Sequence, residues 1–234
     1  IEERDWSSDV CSSDLLKQST VISFEDCAND GIVTGSDNNV GGFVGYIDSN
    51  TNMTMTISNS TNNGIVTGSL HYVGGFVGSI DRNTNMTMTI SDSINNGIVI
   101  GSNYHIGGFV GYIYNSTDMA MTISNSVNNG NVTGGGGIIG GFVGGTDRNI
   151  DMTMTISNSA NNGNATGSSP LGGFVGRIDS NTHMTIIIFS STNNGIITPS
   201  EYHVGGFFGN IYHNTNMIMT ISNSINNGIV NGSN

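Results

Sequence analysis

The clearest pattern in the chain is an alternation of apolar and hydroxyl residues in short segments. In NMTMTIS (52–58), Met and Ile occupy every second position, and Thr and Ser occupy the positions between them. A period of two is typical of a β-strand with one buried and one solvated face. Two preceding segments, GIVTG (31–35) and VGGFVGYI (40–47), are also rich in strand-forming residues. No segment shows helical periodicity, so the pattern predicts an all-β chain.

These three segments belong to an internal repeat. An Asn-rich stretch ending in Gly recurs in steps of 33 residues, with one step of 32. It ends at Gly31, Gly64, Gly97, Gly130, Gly163, Gly195 and Gly228. Segments 48–51 and 62–64 have the composition of turns, because Asn and Gly tolerate positive φ. A repeat of this length is typical of a solenoid, in which each unit buries its apolar face against its neighbours.

The apolar side chains recur at fixed positions of the repeat. All 11 methionines fall in the columns that contain Met53 and Met55, and Ile57 heads a third column. If each unit is one coil, equivalent side chains lie about 4.8 Å apart. The sequence therefore predicts a parallel β-solenoid, β-helix-like, of six units of about 33 residues plus partial terminal units. Stacked β-hairpin repeats, with 40–47 returning as 52–58, are the alternative.

Composition and charge exclude several classes of partner. Only 9% of the residues are charged, and the formal net charge is −12. Binding to nucleic acid or to an anionic membrane needs clustered Lys and Arg. This chain has only five Lys and Arg residues, so we predict neither kind of partner. The longest apolar run, 186–189, is far too short to span a membrane.

The first residues differ from the rest. DWSSDVCSSDL (5–15) resembles the translation of a sequencing-library adapter, so we interpret 1–15 as a non-native, disordered segment. Residues 16–234 are then a single repeat domain, which we expect to be a fragment of a longer protein. Cys27 is the one native cysteine that remains, and it predicts no disulfide framework.

The recurring GGFVG and the stretch ISNSxNNGIVTG resemble the GLUG-motif repeats of large bacterial and protist surface proteins. The partial first unit, with DCANDGIVTG around Cys27, is similar to the common Asn-Cys-x-Asn-x-Gly form. The resemblance covers 19–234, although Phe follows Gly-Gly where Leu is usual, and the Met columns are unusual. It implies an extracellular or cell-surface location, an adhesin-like role and no catalytic residues.

The candidate chemistry is sparse. The five histidines lie mostly in predicted loops, where we expect surface positions, and the acidic residues lie mainly in predicted turns. We therefore predict no catalytic residues, no cofactor and no metal site. The outward Thr columns are the candidate interaction face, because a regular array of hydroxyls and methyls resembles the ice-binding face of some antifreeze solenoids. That face comprises Thr54, Thr56, Thr87, Thr89, Thr122, Thr153, Thr155 and Thr220.

These observations predict a non-catalytic structural or adhesive repeat segment of a secreted or cell-surface protein. Its partner would be an unidentified macromolecule or a glycan, and uncapped coils would permit end-to-end self-association. An ice-binding solenoid that uses the Thr columns is the alternative. A polysaccharide-processing solenoid is a third, which would need carboxylates gathered in one groove.

Overall fold

The computed structural model describes residues 20–168 and 170–232, and these form one stack of β-coils with one repeat unit per coil. Strands of successive coils pair in parallel and in register in all four sheets, for example Met88 with Met121. The predicted β-solenoid is therefore confirmed. The hairpin alternative is wrong, because a hairpin pairs its two strands antiparallel. The predicted non-native segment 1–15 lies outside the described residues.

Each coil contributes strands to four sheets, which we name after a recurring residue. The methionine sheet contains Val21–Glu25, Thr54–Ser58, Thr87–Ser91, Ala120–Ser124, Thr153–Ser157, Thr185–Phe189 and Ile218–Ser222. The asparagine sheet contains Ala28–Asn29, Thr61–Asn62, Ile94–Asn95, Val127–Asn128, Ala160–Asn161, Thr192–Asn193 and Ile225–Asn226.

The other two sheets complete the coil. The valine sheet contains Val33–Gly35, Val40–Gly41, Val66–Gly68, Val73–Gly74, Val99–Gly107, Val132–Gly140, Ala165–Gly167, Leu171–Gly172, Ile197–Pro199 and Val204–Gly205. The aspartate sheet contains Val44–Asp48, Val77–Asp81, Val110–Tyr114, Val143–Asp147, Val175–Asp179 and Phe208–Tyr212. No helix among the described residues is long and apolar enough to cross a membrane.

The interior of the coils is built from the predicted apolar columns. Met55, Met88 and Met121 are buried, and so is Ile90. Burial of one such side chain contributes about 1.5 to 3 kcal/mol, so stacked coils stabilise one another where a single coil could not. Phe76 and Phe109 stack at 4.8 Å between ring centroids, and they belong to a ladder of phenylalanines that has one ring in each repeat unit. The prediction that Met and Ile form the dry interior is confirmed.

The Gly-Gly pair divides the predicted strand 40–47 into two. The chain leaves the valine sheet after Gly41 and enters the aspartate sheet at Val44. A Cβ atom on Gly41 would lie 2.1 Å from the carbonyl oxygen of Val44, and one on Gly42 would lie 2.3 Å from that of Gly75. The expectation that these glycines permit close backbone approach is confirmed, whereas the expectation of one continuous strand is wrong.

The corner at 62–64 is not the positive-φ turn that composition suggests. Asn62 belongs to a short strand, its side chain is buried, and no glycine of the described chain has positive φ. Asn62 Nδ2 donates hydrogen bonds to Asn95 Oδ1 (2.7 Å) and to the carbonyl oxygen of Gly64 (3.1 Å). Positive φ occurs instead at other turn residues, among them Asn59. Gly64 at this corner is needed for the close approach of neighbouring coils and not for a positive φ.

Candidate interaction surfaces

The predicted threonine face lies on the outward side of the methionine sheet. Thr54 pairs in register with Thr87, and Thr56 pairs with Thr89. All eight predicted threonines are at least partly accessible to solvent. Ala120, Ile187 and Ile218 interrupt the two columns. We call this surface, together with the Ser58 column beside it, the hydroxyl face.

The hydroxyl face is uncharged over most of its length. From strand Thr54–Ser58 to strand Ile218–Ser222, none of its outward positions holds Asp, Glu, Lys or Arg. Hydroxyls recur about 6.7 Å apart along a strand and about 4.8 Å apart between coils. This geometry gives a regular lattice of donors and acceptors with methyl groups between them.

A second surface was missed by the sequence analysis. All seven tyrosines lie either in the aspartate sheet or in the segments 36–39, 69–72, 102–105 and 201–203 that precede it in each coil. The three arginines of the described chain contact or belong to the same region. We call the outward side of the aspartate sheet, with those segments, the tyrosine flank. A signal was present in the sequence, because these positions differ from unit to unit while the interior positions recur.

Aromatic rings form a packed layer on the tyrosine flank. Tyr72 stacks on Tyr112 at 4.6 Å between ring centroids, and His105 stacks on Tyr112 at 3.9 Å. Small residues make room for these rings: a Cβ atom on Gly145 would lie 2.4 Å from the His105 ring. Tyr104 lies further out, 52% exposed, with its ring edge-on to His71 at 4.3 Å.

His105 is therefore not the surface residue that its predicted loop position suggested. It lies in the long strand Val99–Gly107 and is only 6% exposed. Burial, with a smaller contribution from the charge of Arg177, lowers the pKa of His105 to about 3. The side chain is neutral at ordinary pH and acts as a packed ring.

Four carboxylates share one column of the flank, at the ends of aspartate-sheet strands rather than in the turns where we expected them. These are Asp48, Asp81, Asp147 and Asp179. The Tyr46 hydroxyl donates a hydrogen bond to Asp81 Oδ2 at 2.9 Å, and the Tyr112 hydroxyl donates one to Asp147 Oδ2 at 3.1 Å. Burial raises the pKa of both Asp81 and Asp147, while these hydrogen bonds oppose the rise.

Arginines hold the other carboxylates. Arg82 binds both oxygens of Asp48, through Nε at 3.0 Å and through Nη2 at 2.8 Å. Arg177 forms an ion pair with Asp179 in the same strand. Each carboxylate of the column therefore has a phenol or a guanidinium as its partner. Among the described residues, no group of three or more His, Cys, Asp or Glu side chains could hold a metal ion.

Comparison with known proteins gives one informative similarity. No protein-family model matches the chain, and no curated protein matches it significantly. Among solved structures, the chain resembles a Bacteroides ovatus protein that is described as a candidate immunoglobulin A1 protease. The TM-score is 0.53 at 17% sequence identity, and the alignment covers 84% of this chain and 67% of the other. At that identity, the similarity shows a common β-helix-like fold.

Proposed function

We propose that this chain is a non-catalytic structural and adhesive repeat segment of a secreted or cell-surface protein. The main support is the continuous in-register stack, in which every coil packs on the next through the same Met, Ile, Phe and Asn columns. Such a stack is a rod whose length is set by the number of units. The resemblance to GLUG-motif repeats supports the surface location.

The absence of catalysis is part of the proposal. The carboxylates Asp81 and Asp147 are largely covered and accept hydrogen bonds from Tyr46 and Tyr112. Hydrolysis of a glycosidic bond needs two carboxyl groups that reach the substrate from opposite sides. The Bacteroides ovatus protein of similar fold is described as a candidate immunoglobulin A1 protease, so cleavage of immunoglobulin A1 is the activity that should be tested.

Deletion of one whole unit tests the spacer role. Removing residues 98–130 joins Gly97 to Asn131 and preserves every column, so we expect a folded rod that is shorter by about 4.8 Å. Removing 98–113 instead would place each remaining column out of register, and we expect this control to misfold. Small-angle scattering gives the maximum dimension, and circular dichroism reports the β-structure. A folded whole-unit variant of unchanged length would contradict the rod.

Adhesion and catalysis are measured on the same proteins. Beads coated with the chain should adhere to a mucin layer, and adhesion should fall as further whole units are removed. Immunoglobulin A1 incubated with the chain should remain intact. Failure of the beads to adhere would refute the adhesive role, and cleavage of the immunoglobulin would refute the non-catalytic assignment.

Ice binding is a second candidate function, favoured by the uncharged hydroxyl face and its registered threonines. If this function holds, replacing Thr89 by Leu should abolish most of the ice shaping and thermal hysteresis, because a bulky side chain interrupts the lattice at its centre. Thr133→Leu is the matched control, since Thr133 is also exposed but lies on the valine sheet. Ice shaping that is absent from the unmodified chain, or equally lost in both variants, would exclude the hydroxyl face as an ice-binding surface.

A further inference from the structure

We propose that the tyrosine flank around Tyr72, Tyr104 and Asp147 is a binding site for a neutral glycan. The proposal rests on the adhesive role proposed above and names the surface and the class of ligand. The tyrosines, the three arginines of the described chain and six of its seven buried polar atoms without a hydrogen-bond partner lie on or contact this flank.

Outward side chains of the flank vary between coils, as does the outward column of the asparagine sheet, which runs Ala28, Thr61, Ile94, Val127, Ala160, Thr192 and Ile225. Interior positions repeat almost unchanged, as with Phe76 and its equivalents. One outward column of the aspartate sheet instead holds a different residue in nearly every coil, namely Tyr46, Ser79, Tyr112, Gly145, Arg177 and Asn210. The varied side chains of the flank include Tyr and Arg, which the asparagine-sheet column lacks.

Unpartnered polar atoms point to a ligand here. Seven buried side-chain polar atoms of the described chain lack a hydrogen-bond partner, and six of them lie on the tyrosine flank. Those six are Asn39 Oδ1, His71 Nδ1, Asp81 Oδ1, His105 Nδ1, Asp147 Oδ1 and Arg177 Nε. The His105 residue is 6% exposed and the Asp81 side chain is 13% exposed, and Arg148 Nε lies 4.0 Å from Asp147 Oδ1. A buried polar group without a partner is costly, so a cluster of them indicates a site that is completed by something else.

The chemistry of the accessible groups on the flank favours a sugar. These groups include a carboxylate acceptor, Asp48, and guanidinium donors, Arg82 and Arg177. A metal cation would match only the acceptors and a simple anion only the donors, whereas each sugar hydroxyl offers one donor and two acceptor lone pairs. The exposed ring of Tyr104 and the half-buried ring of Tyr72 provide flat apolar surfaces for the C–H faces of a pyranose.

The net charge of the chain and the distance between coils further restrict the class of glycan. The chain carries a net charge of −12, which disfavours sulfated or sialylated glycans. Successive coils present side chains about 4.8 Å apart. That spacing is similar to the advance of one sugar in an extended β-linked chain, so neighbouring coils can contact neighbouring sugars.

Affinity electrophoresis of the whole chain tests the site. Gels contain mannan, a soluble β-1,3-glucan, a soluble β-1,4-glucan or heparin. We expect at least one neutral polysaccharide to retard the chain and heparin to leave it unretarded. Tyr104→Asn removes the exposed ring with a residue that tolerates the positive φ of 57° at this position, and it should weaken retardation at least tenfold. Asp147→Asn should also weaken it, by removing a charged acceptor.

Phe189→Ser is the control, because it removes an exposed ring from the hydroxyl face and restores the Ser found in neighbouring coils. Retardation should be unchanged in this variant. No retardation by any of the neutral polysaccharides, or equal retardation of Tyr104→Asn and the unmodified chain, would overturn the proposal.

The mucin assay separates this inference from the proposed function. If adhesion falls when units are removed but is unaffected by Tyr104→Asn, the adhesive role stands and the glycan site is wrong. Adhesion that survives periodate oxidation of the mucin sugars but not proteolysis of the mucin would identify a protein partner and also overturn the glycan site. If periodate abolishes adhesion and Tyr104→Asn does the same, both proposals are supported.

Discussion

Replacing Gly97 by alanine is expected to destroy the packing of the central coils, whereas the same change at Gly31 is expected to leave the protein folded. The two glycines occupy the same position of the repeat. A Cβ atom on Gly97 would lie 1.9 Å from the carbonyl oxygen of Gly64, which belongs to the coil on one side. On Gly31, the nearest atom to such a Cβ is Asn29 Oδ1, at 3.8 Å.

The size of the effect follows from which atoms collide. The Gly64 carbonyl is backbone, so the overlap can be relieved only by moving one coil away from the next. That movement would break the parallel ladder around the corner, and overpacking of this severity costs at least about 3 kcal/mol. Folded domains have only about 5 to 15 kcal/mol of stability in total, so the loss is a large fraction.

Urea denaturation followed by circular dichroism measures both variants. A solenoid need not unfold in a single two-state step, so the comparison is between transition midpoints and between the amplitudes lost at each step. We expect Gly31→Ala to match the unmodified chain and Gly97→Ala to lose β-structure at much lower urea. A Gly97→Ala variant with an unchanged midpoint would show that the Gly64 carbonyl does not pack closely against Gly97.

The parts of the fold that the sequence predicted well are those determined by local pattern and by repetition. Met55 and Thr56 alternate, which indicates a strand and its buried side. Recurrence of Met55 as Met88 and Met121 then indicates that the strands stack in register. Both inferences need only the spacing of residue types, and both were confirmed.

The parts that were wrong depend on contacts between coils that composition does not reveal. Asn62 was interpreted as a turn residue because Asn commonly occupies turns, yet its amide is buried and bridges two coils. His105 was interpreted as a surface residue because it lies in a predicted loop. It is buried because Gly145, in the next coil, leaves space for its ring. Predicting that contact requires the relative positions of the valine and aspartate sheets.

The hydroxyl face and the tyrosine flank differ in composition. The hydroxyl face repeats Thr and Ser with few changes, so neighbouring coils present nearly identical groups. The tyrosine flank carries the tyrosines and arginines, and it differs from coil to coil. A repetitive surface suits a repetitive partner such as ice, whereas a varied surface suits a partner recognised at one place along the rod. The resemblance to GLUG-motif repeats and the adapter-like origin of 5–15 stay predictions.

The second large effect is expected from Asn95→Asp, with Asn96→Asp as its matched neighbour. Asn95 is buried, and its Nδ2 donates hydrogen bonds to Asn128 Oδ1 (2.7 Å) and to the carbonyl oxygen of Gly97 (3.1 Å). A carboxylate cannot donate, so the variant places a buried charge against two acceptors. We expect a loss of about 3 to 5 kcal/mol at pH 7.

Asn96 takes part in a similar ladder on the outside of the coil, where it donates to Asn63 Oδ1 at 2.9 Å and is exposed to solvent. The same ladder already accommodates a carboxylate at Asp30, which accepts a hydrogen bond from Asn63 Nδ2 at 2.8 Å. Water can solvate the new carboxylate, so Asn96→Asp should cost no more than about 1 kcal/mol.

The pH dependence gives the Asn95→Asp experiment its sharpest outcome. Burial raises the pKa of the introduced carboxyl in the folded protein above the value of about 3.9 expected in the unfolded chain. The folded state then binds more protons than the unfolded state between those two values, so stability rises as the pH falls through that window. Compared with the unmodified chain, Asn95→Asp should be most defective at neutral pH and recover toward pH 4, because the protonated acid can again donate one hydrogen bond. Urea midpoints measured between pH 4 and pH 8 check this, and an equal, pH-independent defect in both variants would show that the buried amide ladder does not hold the coils together.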